Sequence, residues 1–138
     1  MEEDINFNYI NAQVSRIIPY DEINKKNAIY ILEIYEIKNK NNKWTKKYTL
    51  SEIENFRNYL IKYVPAVINL PFPYISLFSY LPYIGWKYDE RNWDILLENK
   101  FIFDNFFNTI CQNKKIYILS EFKSFFYEPI RFSNINNL

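Results

Sequence analysis

The hydrophobic period of this chain changes once, near residue 50, and that change bounds what the chain can fold into. Before it, apolar residues recur every second position. Ile10, Ala12 and Val14 share one face of a first strand, and "AIYILEIYEIK" (28–38) is β-branched and aromatic with apolar residues on both faces. "PYDEINKKN" and "NKNNK" read as polar turns, and Trp44 to Leu50 returns as a third strand. A three-stranded antiparallel meander over about residues 5–50 is expected.

After residue 50 the period becomes about 3.6. Ser51 followed by Glu54 matches the pairing of hydroxyl and carboxylate that satisfies the free amides at a helix start. Ile53, Phe56, Leu60 and Val64 fall on one face of a helix over 51–64, and Pro65 ends it. "PAVINLPFPYISLFSYLPYIGW" then holds Pro65, Pro71, Pro73 and Pro82, so an apolar loop is expected there and not a helix. A second helix over about 89–112 should bury Trp93, Leu96, Leu97, Phe103, Phe106, Phe107 and Ile110. "NKKIYIL" reads as a turn into a last helix over about 119–127, with Phe122, Phe125 and Phe126, before a polar tail at 128–138. The expected fold class is α+β, one domain over 1–138, with the meander packed on a helical subdomain and a proline-rich loop between the first and second helices.

Composition excludes several chemistries. The chain has no histidine and one glycine, Gly85. Histidine-based nucleophile systems, imidazole metal ligands and glycine-rich phosphate loops are therefore out. The single cysteine, Cys111, cannot form a disulfide framework and reads as a small core residue. Acidic pairs such as Asp21-Glu22 and Asp89-Glu90 are neighbours in turns and do not suggest an acid–base site. Neither catalysis nor a cofactor or metal is expected. Net charge is +1, so no overall field draws the chain to nucleic acid, and Trp44 beside the lysines is better used in the core than as a base-stacking surface. No run reaches the length of a membrane span and the first residues are not a signal peptide, which points to a cytoplasmic protein.

Strands, helix, proline-rich apolar loop and further helices, in that order, resemble the phox-homology (PX) domain. Trp44 through Ile53 is similar to that family's Trp followed by variable residues and Arg-Arg-Tyr-Ser-Glu-Phe, and "LLENKFIFDNFFNTI" to its second-helix pattern. The resemblance covers nearly the whole chain. It implies a non-catalytic module that binds phosphoinositide, most often phosphatidylinositol 3-phosphate, and is recruited to endosomal or related membranes.

The resemblance also implies where the headgroup would sit, and there the pattern breaks. The phosphate-binding arginine falls on Thr49, the ring-stacking aromatic on Leu50, the loop lysine on Ile75 and the helix arginine on Asn99, beside Lys100. Each lost charge-assisted contact is worth about 1.5–3 kcal/mol, so specific headgroup binding should be weak or lost. Two readings of the basic stretch stand. Lys47 and Tyr48 lie two positions before Thr49 and Leu50, and a two-residue slip or a bulge before Ser51 would bring them into the pocket, with Lys100 and Arg91 adding charge. Otherwise Lys46 and Lys47 are solvated charges on an edge-like strand. The loop also has two readings. Phe72, Tyr74, Leu77, Phe78 and Tyr80 either enter an anionic membrane beside Lys46, Lys47, Lys87 and Arg91, or fold onto the protein's own core or a protein partner.

Overall fold

The computed structural model of the protein describes residues 9–21, 23–24, 26–73 and 92–127. Three strands, β1 (Ile10–Ile18), β2 (Ile29–Glu36) and β3 (Lys43–Thr49), form one antiparallel sheet in the order β1-β2-β3. They are followed by α1 (Leu50–Tyr63), a 3-10 turn (Pro65–Asn69), α2 (Trp93–Cys111), a one-turn α3 (Lys114–Tyr117) and α4 (Ser120–Phe126). The fold is α+β, a three-stranded sheet followed by helices.

Alternation does the sorting in the sheet. Ile10, Ala12 and Val14 of β1, Tyr30, Leu32 and Ile34 of β2, and Trp44 of β3 are all buried on one face. Between Val14 and Arg16 the register shifts, because Ser15 is an extra residue opposite β2, and the next buried position becomes Ile17. The β1–β2 turn closes with paired backbone bonds between Asp21 and Lys26. The β2–β3 loop closes through Glu36 N–H to Asn42 C=O at 3.1 Å, with the Asn42 amide on the Glu36 carboxylate.

The start of α1 differs from expectation by two residues. Thr49, not Ser51, is the N-cap: its Oγ1 accepts from Glu52 N–H, and the Glu52 carboxylate accepts from Thr49 N–H. Both Thr-x-x-Glu and Ser-x-x-Glu fit the local pattern. The pairing of Thr49 with Ile29 fixes where the strand ends, and the helix begins directly after it. Ile53, Phe56 and Leu60 are buried as expected, while Val64 is the half-buried C-cap. The proline-rich segment opens with the 3-10 turn, Pro65 standing where its missing N–H costs nothing.

On α2 the buried face runs through Leu96, Asn99, Phe103, Phe106, Phe107 and Ile110. Trp93 sits roughly 90° around the helix from the middle of that face at 100° per residue, and it is 49% exposed rather than buried. Leu97, farther round, is half-buried. Residues 89–91, which the sequence placed in this helix, lie outside the described residues, as do 5–8 of the first strand and the tail 128–138. The segment read as a turn contains α3, capped by the Asn113 side chain accepting from Lys115 N–H. Cys111 is buried, and burial raises its thiol pKa well above the usual range.

α2 lies along β1, the outer strand on one side of the sheet. The Asp104 carboxylate accepts from Val14 N–H at 2.7 Å, and Asn108 accepts from the Asn11 amide at 3.1 Å. α4 closes the other side. Trp44 Nε1–H donates to the Phe126 carbonyl at 2.6 Å, and Tyr48 O–H to the Phe125 carbonyl at 2.5 Å. Phe125 is sandwiched between Tyr48 (centroids 4.1 Å apart, planes at 7°) and Phe56 (3.9 Å, 6°). Parallel rings thus join β3, α4 and α1.

Candidate functional site

The end of β3 and the start of α1 hold the basic stretch and two of the four positions onto which the PX resemblance would map a headgroup contact. Pairing of β3 with β2 runs without a break from Tyr35–Lys43 to Ile29–Thr49. There is no bulge before Ser51, so the slip that would carry Lys47 and Tyr48 forward does not occur. Lys47 is exposed on the outer face of the sheet, across from Ile31. Tyr48 is on the inner face. Its ring stacks on Phe125, its hydroxyl is used by α4, and burial followed by the Glu52 charge raises its phenol pKa far above the ordinary value. Lys46 also faces inward. Its Nζ lies 5.6 Å from the Tyr48 ring centre and 3.4 Å from the Tyr127 carbonyl.

Of the four positions the resemblance points to, the three described ones, Thr49, Leu50 and Asn99, have internal roles. Thr49 caps α1 and Leu50 is buried in the core. Asn99 is 3% exposed and its amide donates to Tyr30 O–H at 2.9 Å, across the core from α2 to β2. Lys100, next to it, pairs with Asp104 at 2.8 Å and lies over the Phe101 ring at 5.3 Å. Asp104 is in turn bonded to β1, so Lys100 belongs to the β1 side of the sheet and Lys47 to the β3 side. Two strand spacings, about 10 Å, separate those sides. Lys47 and Tyr48 point to opposite faces of the sheet.

Phe72 is half-buried and packed edge-on against Phe103 (5.6 Å) and Phe106 (5.3 Å). At this residue the loop folds onto the protein's own core. Tyr74, Ile75, Leu77, Phe78, Tyr80, Lys87 and Arg91 lie outside the described residues.

One side chain that the sequence reading passed over stands at the root of the loop. Arg57 of α1 places its guanidinium 4.9 Å from the Phe72 ring centre. Its Nη2 lies 3.4 Å from the Ile68 carbonyl of the 3-10 turn, and its Nε is buried with no hydrogen-bond partner. The only signal in the sequence is position: Arg57 follows Phe56 and stands one turn after Ile53, at the border of the apolar face of α1.

A second surface feature is an open groove between α1 and α4, floored by Phe56 and Phe125 and edged by Glu52, Lys62 and Glu121. Both signs of charge line it. Among the described residues no group of three or more cysteine or acidic side chains gathers to hold a metal ion, and no helix is long and apolar enough to cross a membrane.

Neither the models of known protein families nor the curated proteins match this sequence.

Proposed function

We propose that the chain is a non-catalytic PX-like module that touches anionic membranes through exposed basic residues and its apolar loop, without a working phosphatidylinositol 3-phosphate pocket. The order of elements supports the PX-like part: an antiparallel sheet of three strands, a helix, a proline-rich segment and helices. The single observation that carries the functional part is the internal use of Thr49, Leu50 and Asn99, as helix cap, core residue and partner of Tyr30. A headgroup at those positions would meet a threonine, a buried leucine and a buried amide where it needs guanidinium groups and an exposed ring. What is left for a membrane on this reading is the exposed Lys47, with Lys46, Lys87 and Arg91 and the apolar residues Tyr74, Leu77, Phe78 and Tyr80 as the further candidates the sequence offers. Each basic residue near an anionic surface contributes about 1 kcal/mol. The cell compartment that fits is the cytoplasm, with peripheral attachment to endosomal or related membranes.

A protein-docking role is the second reading. It is favoured by Phe72, which packs inward on Phe103 and Phe106 and so is not available to a bilayer.

Liposome co-sedimentation tests the choice, with neutral vesicles, vesicles carrying phosphatidylinositol 3-phosphate, and vesicles of equal charge made with a generic anionic lipid. Equal binding to both anionic surfaces, reduced by Lys47→Ala in each, is expected. Headgroup-specific binding abolished by Lys47→Ala would overturn the lost-pocket reading. Binding to none of the three would leave the docking role.

A further inference from the structure

We propose that the junction of α1, the 3-10 turn and Phe72 is a binding site for a phosphate monoester, with Arg57 as the group that holds it. The inference does not depend on the PX-like reading. It starts from a guanidinium that is positioned but not satisfied. Its central carbon lies over the Phe72 ring at 4.9 Å from the centre, and Phe72 itself packs edge-on against Phe103 and Phe106, so the platform is fixed by the core. An arginine over an aromatic ring can still present N–H donors to an anion. Of its five N–H donors, one is engaged among the described residues, at Nη2, and that bond to the Ile68 carbonyl is long at 3.4 Å. Nε is buried without a partner, which is rare for a buried polar group.

Among the described residues no carboxylate answers the charge. Lys100 takes Asp104 on the neighbouring helix, and among the described residues Arg57 pairs with no acid. Arg57 remains partly exposed and Ile68, beside its Nη2, is 59% exposed, so an anion can reach the terminal nitrogens from solvent while Nε stays buried. A phosphate monoester suits this better than a carboxylate. It carries close to two charges near neutral pH and three acceptor oxygens, so it can take two N–H groups of the fork at once. The same chemistry is found in a soluble phosphate ester and in a phosphoinositide headgroup.

The test is a titration of the whole chain, labelled with nitrogen-15, following the arginine Nε–H resonances by NMR. Inorganic phosphate is the first probe, with acetate and chloride at equal ionic strength as controls. One resonance, absent from Arg57→Met, is expected to shift saturably with phosphate and not with acetate. Methionine keeps an unbranched stem on Phe72 and removes the charge, so Arg57→Met should melt no lower than the parent. Arg57→Lys keeps charge without the fork and should bind phosphate about tenfold more weakly. The second probe is vesicles carrying phosphatidylinositol 3-phosphate against vesicles of equal charge without it. Headgroup-specific sedimentation lost in Arg57→Met but kept in Lys47→Ala identifies the lipid as the source, and a shift with phosphate alone identifies a soluble ester. Either result supports the site. An Arg57 resonance that neither probe moves, or that acetate moves equally, overturns it and leaves Arg57 a packing residue.

Discussion

Removing a single oxygen from Tyr48 separates the two roles this residue could have. If Tyr48 were held ready for a headgroup ring, Tyr48→Phe would keep the stacking face and leave folding untouched. In the structure the hydroxyl has a structural task, donating to the Phe125 carbonyl at 2.5 Å, with the ring parallel to Phe125 at 4.1 Å. Tyr48→Phe keeps that stack and deletes only the hydrogen bond. A net intramolecular hydrogen bond contributes about 0.5–1.5 kcal/mol, and a carbonyl left dry costs about 1–3 kcal/mol. Because Tyr48 is only half-buried, water can reach part of the vacated site, and a loss of about 1–1.5 kcal/mol is expected. For a chain of this size that is roughly 3–5 °C in melting temperature. The assay is thermal unfolding followed by circular dichroism, with vesicle binding measured well below the transition. A lower melting temperature with unchanged binding is the expected result. An unchanged melting temperature would refute the reasoning, since the strand–helix bond would then contribute nothing.

Three further outcomes follow from the same geometry. Thr49→Ala removes the α1 cap and should cost about 1 kcal/mol in urea unfolding, while Thr49→Ser should be near neutral; equal stability of all three proteins would show that the cap is not used. Asn99→Ala breaks the bond to Tyr30 in the core and should cost about 1–3 kcal/mol without changing the binding of phosphatidylinositol 3-phosphate vesicles; a loss of that binding in a folded variant would return Asn99 to the headgroup site. At alkaline pH the protein should lose stability early. Burial raises the Cys111 thiol and the Tyr48 phenol, and raises the Tyr127 phenol to about 12. Folded-state values above the unfolded ones mean that stability is complete below the unfolded values and declines as pH rises through the interval. With unfolded values of about 8.5 for cysteine and 10 for tyrosine, the melting temperature should begin to fall near pH 9, and Cys111→Ala should delay the fall toward pH 10. A melting temperature that is level up to pH 11 would contradict this.

Local pattern made the sheet, α1 and α4 legible because period and side-chain type agree at those places. Ile53, Phe56 and Leu60 could only be one face of a helix, and Ile10, Ala12 and Val14 only one face of a strand. What escaped depends on partners distant in the chain. Thr49 and Ser51 both fit a cap, and the choice is made by Ile29 on the neighbouring strand. Nothing near Ser15 signals the shift in register, which leaves Ile17 inward. Tyr48 reads locally as an exposed aromatic beside lysines; its partner, Phe125, is 77 residues away. Asn99 stood out only through the resemblance to PX domains, and its bond to Tyr30, 69 residues distant, could not be read from the sequence. Arg57 went unread for the opposite reason, since an arginine on a helix surface is ordinary until the ring above it is known.

The seal between β3 and α4 also sets a timetable for folding during synthesis. Trp44 and the Phe126 carbonyl that receives its N–H are 82 residues apart. At about 5–20 residues per second, roughly 4–16 s pass between synthesis of the two. Through that interval the nascent meander presents the faces of Trp44 and Tyr48 with nothing from α4 to cover them. An aggregation-prone surface is then open for seconds in each round of translation, and a chaperone that shields β3 would act before any residue of α4 exists.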